Sequence, residues 1–292
     1  MTAKMSFDNA YEAITEVNDA RWAFGTGFED PLSGVDTTVP SNVDGQDLAA
    51  YCLMLGDDAL IMSHRLQEWC ARAPELEDDV AVANIGLDLL GQARLLLTRA
   101  GRADGSGRGE DDLAYLRDES RFRNVRLVEL PNGDFAHTMA RLLVFASWRL
   151  ALLARLVDSK DPVLAAIAAK GVKEVTYHRD YAARWVVRLG DGTELSHDRM
   201  QAGLDAVWPY VDELFTPHEV ELRVGVDPAA LRPEFDGVLA EVLAAATLRR
   251  PEVAALPGVA GRLGRHGVHT EAIGPLLAEL QSVARAHQGA TW

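Results

Sequence analysis

From Gln46 onward the chain places apolar residues at alternating steps of four and three. Leu48, Cys52, Leu55, Ala59, Met62, Leu66 and Trp69 form one such series, which is a single face of a bundle helix over about 46–70. A second stripe, Val82, Ile85, Leu89, Ala93 and Leu96, predicts a helix over about 75–100. Its start is marked by Pro74 and by the acids Glu75, Glu77, Asp78 and Asp79, which suit the positive end of a helix dipole. The stretch from about 134 to 158 is apolar on nearly all sides, so it belongs at the centre of the fold. Pro162 opens a fourth helix over 162–188, with Ala168, Val172, Val175, His178, Ala182 and Val186 on its inner stripe.

Punctuation separates these elements. Gly101–Gly109 is a glycine-rich loop, a short helix lies near 111–120, and Pro131-Asn132-Gly133 makes a turn before the third long helix. Beyond the fourth, further helices are predicted at about 196–215, 234–249 and 270–287, with an extended piece near 218–226 and a Gly- and Arg-rich loop at 257–269. Pairing the long helices in order gives two hairpins. The expected fold is all-α: a ferritin-like four-helix core with additional C-terminal helices, one domain over 46–292. Residues 1–45 lack a sustained period and read as a poorly ordered or peripheral tail, with a short helix over about 7–23.

Charge narrows the function. The 292 residues carry 29 Lys and Arg against 44 Asp and Glu, a net −15, which argues against nucleic acid and anionic membranes as partners. The longest apolar stretch, Leu142–Leu156, is broken by Arg149 and Arg155, and no apolar leader opens the chain. Cys52 and Cys70 fall in one helix, roughly 27 Å apart at ~1.5 Å per residue. They are therefore expected as free thiols, which suits a cytoplasmic protein.

A ferritin-like diiron site needs four carboxylates and two histidines facing inward, two of the helices each giving a Glu-x-x-His pair. The inward faces do not offer them. The second helix presents Leu89-x-x-Gln92 and the fourth Val175-x-x-His178, while the third has no Asp or Glu from Phe135 to Val157. Leu and Val cannot ligate, and Gln is a weak neutral donor. Asp88 lies about 100° around the helix from Leu89; with Asn84 and Gln92 it reads as a polar seam. Glu174 reads as a solvated or paired helix residue, Asp58 as the edge of the first stripe, and His178 as a hydrogen-bonded core histidine. His266, His269 and Glu271 superficially suggest a metal set but sit where helix capping is expected. No nucleophile elbow, phosphate-cradling loop or Cys-x-x-Cys pair is present.

Several segments resemble a known family. These are Leu55-Gly56-Asp57-Asp58, Arg65-Leu66-x-Glu68-Trp69-Cys70, Ala73-Pro74-Glu75-Leu76-Glu77, and the run Ala83 to Arg94. Glu129-x-Pro131-Asn132-Gly133-x-Phe135-Ala136, Lys173-Glu174 with Tyr177-His178, and His269-Thr270-Glu271 with Gly274-Pro275 continue the likeness. Together, over about 46–292, they are similar to the C subunits of the ring-1,2-phenylacetyl-CoA epoxidases. The resemblance implies a structural subunit of a bacterial phenylacetate-degrading monooxygenase complex. It would carry no cofactor and form a heterodimer with a catalytic A subunit that holds the diiron centre, alongside other subunits and a reductase. Leu89, Gln92, Val175 and His178 would stand at its degenerate ligand positions.

Partner-facing candidates are the last helix, Trp292, Tyr210 and Phe215. If the chain touches phenylacetyl-CoA, two basic segments are candidates for the coenzyme phosphates. One holds Arg121, Arg123 and Asn124, flanked by Arg117 and Arg126; the other holds Arg262 and Arg265, with His266 and His269. The competing readings are a self-sufficient diiron oxygenase and a helical acyl-CoA-binding protein.

Overall fold

The computed structural model describes residues 32–288 and 290. Four long helices make the core: α1 (Gly45–Gln67), α2 (Leu76–Ala103), α4 (Phe135–Leu156) and α5 (Pro162–Gly190). Between the two hairpins lie α3 (Glu110–Tyr115) and two 3-10 turns, Glu119–Arg121 and Arg126–Glu129. After the core come α6 (Glu194–Val207), α7 (Glu219–Val224), α8 (Arg232–Ala245) and α9 (Ile273–Ala286). No strand occurs among the described residues, only an isolated bridge between Val259 and Arg262. Two hairpins joined by one long connection are the ferritin-like arrangement.

Helix starts follow local chemistry. The carboxylates of Asp44, Asp134 and Asp161 accept from backbone N–H groups at the first turns of α1, α4 and α5, and Pro162 occupies the first turn of α5. α4 is the central element. Its apolar residues from Leu142 to Leu153 are all buried, and Arg141 and Arg149 are buried with them. α2 is long and apolar enough to cross a membrane by length and composition alone. Its Ile85–Leu89–Ala93–Leu96 stripe is packed into this core.

Three expectations change. The piece near 218–226 is a helix, α7, rather than extended: Glu221 accepts from the His218 N–H while His218 Nδ1 accepts from Val220 N. That reciprocal cap closes a turn which the apolar–polar alternation of Val220 to Val224 would have opened. The tail is docked from residue 32. Val35, Val39 and Val43 pack against the core, and the buried Arg99 donates to the carbonyls of Thr37 and Thr38 while pairing with Asp161. Phe215 is not a surface aromatic, since it packs 5.0 Å from Phe235 inside the fold. Tyr210 is half-buried, and α9 docks on the chain's own α3 region through Gln281, which donates to Ala114 O and Arg117 O. The helix expected over 7–23 and Trp292 lie outside the described residues. Cys52 is buried and Cys70 exposed, and both are free thiols.

Candidate functional site

Around the positions where the resemblance would place metal ligands, the interior holds a hydrogen-bonded network. Leu89 and Val175 are fully buried hydrocarbon. Gln92, also buried, accepts at Oε1 from Arg149 Nε at 3.0 Å and donates from Nε2 to Glu174 Oε2 at 2.9 Å. Arg149 comes from the acid-free helix α4 and leans toward Leu55 O at 3.4 Å. Lys170 pairs with the other oxygen of Glu174. Burial pulls Arg149 down to about 10, with Asp58 opposing the shift, so the guanidinium stays charged at neutral pH.

At this level the interior carries a side-chain cation. Glu174 is paired, as its position allows, but it also turns inward to Gln92. Asp88 does not form a seam with Asn84 and Gln92: Asn84 is exposed, and Asp88 meets the buried His178 ring, Nε2 to Oδ2, at 3.0 Å. Asp58, on α1, is close enough to Arg149 to act on its charge, but its hydrogen bonds go to Arg265. Among the described residues no cluster of three His, Cys, Asp or Glu has metal-holding geometry. Of the positions expected to hold ligands, Leu89 and Val175 are hydrocarbon, Gln92 and His178 Nε2 are engaged by other side chains, and a guanidinium adds positive charge. This donor set does not fit a diiron centre.

The basic segments divide sharply. Arg117 pairs with buried Asp57, and Arg126 with buried Glu213 at 2.7 Å. Arg265 is buried and donates to both oxygens of Asp58 at 2.9 Å, to Met54 O and to Arg123 O. Asn124 is fully buried and donates to Glu129 and Val125 O. Arg265 and Asn124 thus drop out as ligands for a coenzyme phosphate, because their donors are spent inside the fold. Arg121 and Arg262 remain at the surface and Arg123 half-exposed. The loop after Arg262 lies against residues 120–123: a Cβ on Gly267 would come within 2.5 Å of Ser120 O and 2.8 Å of Arg123 Nη1. The two segments, 140 residues apart in sequence, form one patch.

Comparisons with known proteins place the chain in a family. A family profile described as "Phenylacetic acid catabolic protein" matches residues 33–292. The chain belongs to that family. The match starts where the docked tail starts, ahead of the boundary at 46 expected from the sequence. A relative from Escherichia coli (strain K12), the C subunit of 1,2-phenylacetyl-CoA epoxidase, is 46% identical over 250 residues. That alignment takes in 84% of this chain and 99% of the relative.

In this family member, His269 and Thr270 are tied into the fold through Glu129. His269 Nδ1 meets Glu129 Oε1 at 2.7 Å and its Nε2 meets Phe122 O, while Glu129 Oε2 accepts from the N–H and hydroxyl of Thr270. Burial opposes charge on His269, but the bond to Glu129 and its negative charge outweigh burial, so its pKa stands above the usual 6.5. A raised histidine pKa gives stability that is full below about 6.5 and is lost as pH rises through the folded value. Urea unfolding of the wild type above pH 6.5 should show that decline, and His269→Gln should flatten it. An unchanged slope in the variant would assign the decline to another group.

Proposed function

We propose that this chain is a non-catalytic subunit of a 1,2-phenylacetyl-CoA epoxidase, acting in phenylacetate breakdown beside a homologous catalytic subunit that holds the diiron centre. The observation that carries this reading is Arg149: a charged guanidinium, bonded to Gln92, at the level where a catalytic bundle would place metal. The likeness to the C subunit of an epoxidase supplies the assembly. In this proposal the chain has no cofactor of its own, and oxygen chemistry belongs to the partner. The reductase and other subunits complete the complex, which works in the cytoplasm.

A supporting subunit has to bury surface on its partner. Exposed apolar side chains gather on the outer faces of α2 and α5: Leu76 at 75% exposure, Val80 at 54%, Leu87 at 43% and Tyr177 at 52%. Gly91 on the same face of α2 has open space above it, so another helix can approach closely. This face is the proposed contact with the catalytic subunit.

The test is purification from the native host through a tag on this chain. The expected result is co-purification with an iron-containing homologue, the chain separated from it carrying no stoichiometric iron. About two iron atoms bound to the separated chain, with turnover, would instead favour a self-sufficient oxygenase.

A further inference from the structure

We infer that Arg121, Arg123 and Arg262, together with His266 and His218, form a binding site on the outside of the bundle for the phosphate groups of a coenzyme A thioester. The ligand's identity rests on the epoxidase reading above; the anion site rests on the geometry.

Three observations carry it. First, the arginines are crowded and none of the three forms an ion pair with a carboxylate among the described residues. Arg121 makes no side-chain hydrogen bond or ion pair to the described residues, Arg262 donates to His266 O, and Arg123 donates to Ser120 O and Phe122 O. Thirteen of the other 21 described arginines each pair with a carboxylate, including the neighbouring Arg117, Arg126 and Arg265. Arg123 is depressed below its ordinary value, first by burial and then by Arg117, Arg121 and Arg262, with Asp57 opposing. In a chain of net charge −15, holding cations together with Asp57 as the opposing charge costs free energy that a bound anion would recover.

Second, the fold forces the crowding. Gly267 sits at φ +75°, and its missing Cβ lets the loop rest on Ser120 and the Arg123 guanidinium. This brings His266 next to His218, ring centroids 4.7 Å apart.

Third, the imidazoles are poised as donors. Leu263 N donates to His266 Nδ1 at 3.3 Å, and Val220 N donates to His218 Nδ1 at 3.2 Å. Both neutral rings therefore carry their proton on Nε2. Both are held below 6.5, chiefly by burial, with Arg262 and Arg123 adding to the effect at His266, and His266, Arg265 and Arg223 at His218. Glu219 opposes the shift at both, and is itself turned to Arg223. Three planar forks and two N–H donors suit a ligand with more than one phosphate. Coenzyme A offers a pyrophosphate and a 3′-phosphate. A lone phosphate would engage fewer of these donors.

The experiment is calorimetric titration of the isolated full chain with coenzyme A, 3′-dephospho-coenzyme A and inorganic pyrophosphate at low salt. Saturable binding of coenzyme A is expected, displaced by pyrophosphate and weaker for the dephospho form. Arg121→Ala with Arg262→Ala should weaken it at least about tenfold, the scale of a lost charge-assisted hydrogen bond, with an unchanged melting temperature. Arg250→Ala, an exposed arginine paired with Asp236, should leave it alone. No binding of coenzyme A or pyrophosphate, or equal binding by the double variant, overturns the proposal. So does a double variant that loses only the purified catalytic subunit, since the patch would then read an acidic protein surface. Co-purification in the native host does not depend on this outcome, so the site and the subunit role fail separately.

Discussion

Arg265→Met should destabilise the fold by about 3–5 kcal/mol, the scale for removing one partner of a buried ion pair. Asp58 is fully buried, and Arg265 is 5% exposed. The guanidinium bonds both Asp58 oxygens, two backbone carbonyls from different segments, and lies 3.6 Å from Glu221. Burial works against the charge on Arg265, but Asp58 and Glu221 outweigh it and raise its pKa. Burial also pushes Asp58 and Glu221 up, and Arg265 is the main force holding both down. Methionine fills similar space but leaves two carboxylates in a dry site. They will take up protons at a pH where the unfolded chain is ionised. An acid whose folded pKa is raised loses stability as pH rises through that value. The variant should therefore be closest to wild type at pH 5 and furthest from it at pH 8 in urea unfolding. Adding Asp58→Asn should recover part of the loss. A deficit under ~1 kcal/mol at pH 8 would mean that the pair is no better than an exposed one.

The second large effect concerns the Gln92–Arg149 network. Leu89→Glu with Gln92→His rebuilds one Glu-x-x-His pair, yet it should neither bind iron nor confer turnover. Leu89 lies in hydrocarbon, so the new carboxylate is desolvated. Losing Gln92 removes the acceptor for Arg149 Nε and the donor to Glu174. Val175 still replaces another ligand and α4 still lacks an acid. The cost should be several kcal/mol, read as a lower urea midpoint and a metal content no higher than wild type. Stoichiometric iron in the variant would sink the assignment of these positions to the old ligand level.

The four core helices were legible in the chain because their signal is local. Apolar steps of three and four, Pro at 74 and 162, and acids at a first turn act within a few residues of one another. That Leu89 and Val175 carry no donor atom was legible for a similar reason. Side-chain chemistry is covalent, so no folding turns Leu89 or Val175 into a donor. The network around Gln92 left a weaker trace: an arginine, Arg149, inside a largely apolar helix free of acids. Its partner Gln92 lies 57 residues away, and periodicity carries no information about such a pairing.

The arginine-rich segments mark the same boundary. Composition showed where positive charge concentrates and which residue types suit phosphate. It did not distinguish Arg265 from Arg262, three residues apart in one loop. One reaches 207 residues back to a buried aspartate, while the other stays at the surface near Arg121 and Arg123. Local rules govern which backbone forms and which chemistry is present. Long-range packing governs which charges are consumed, because an ion pair is set by distance and burial in space, and separation along the chain measures neither.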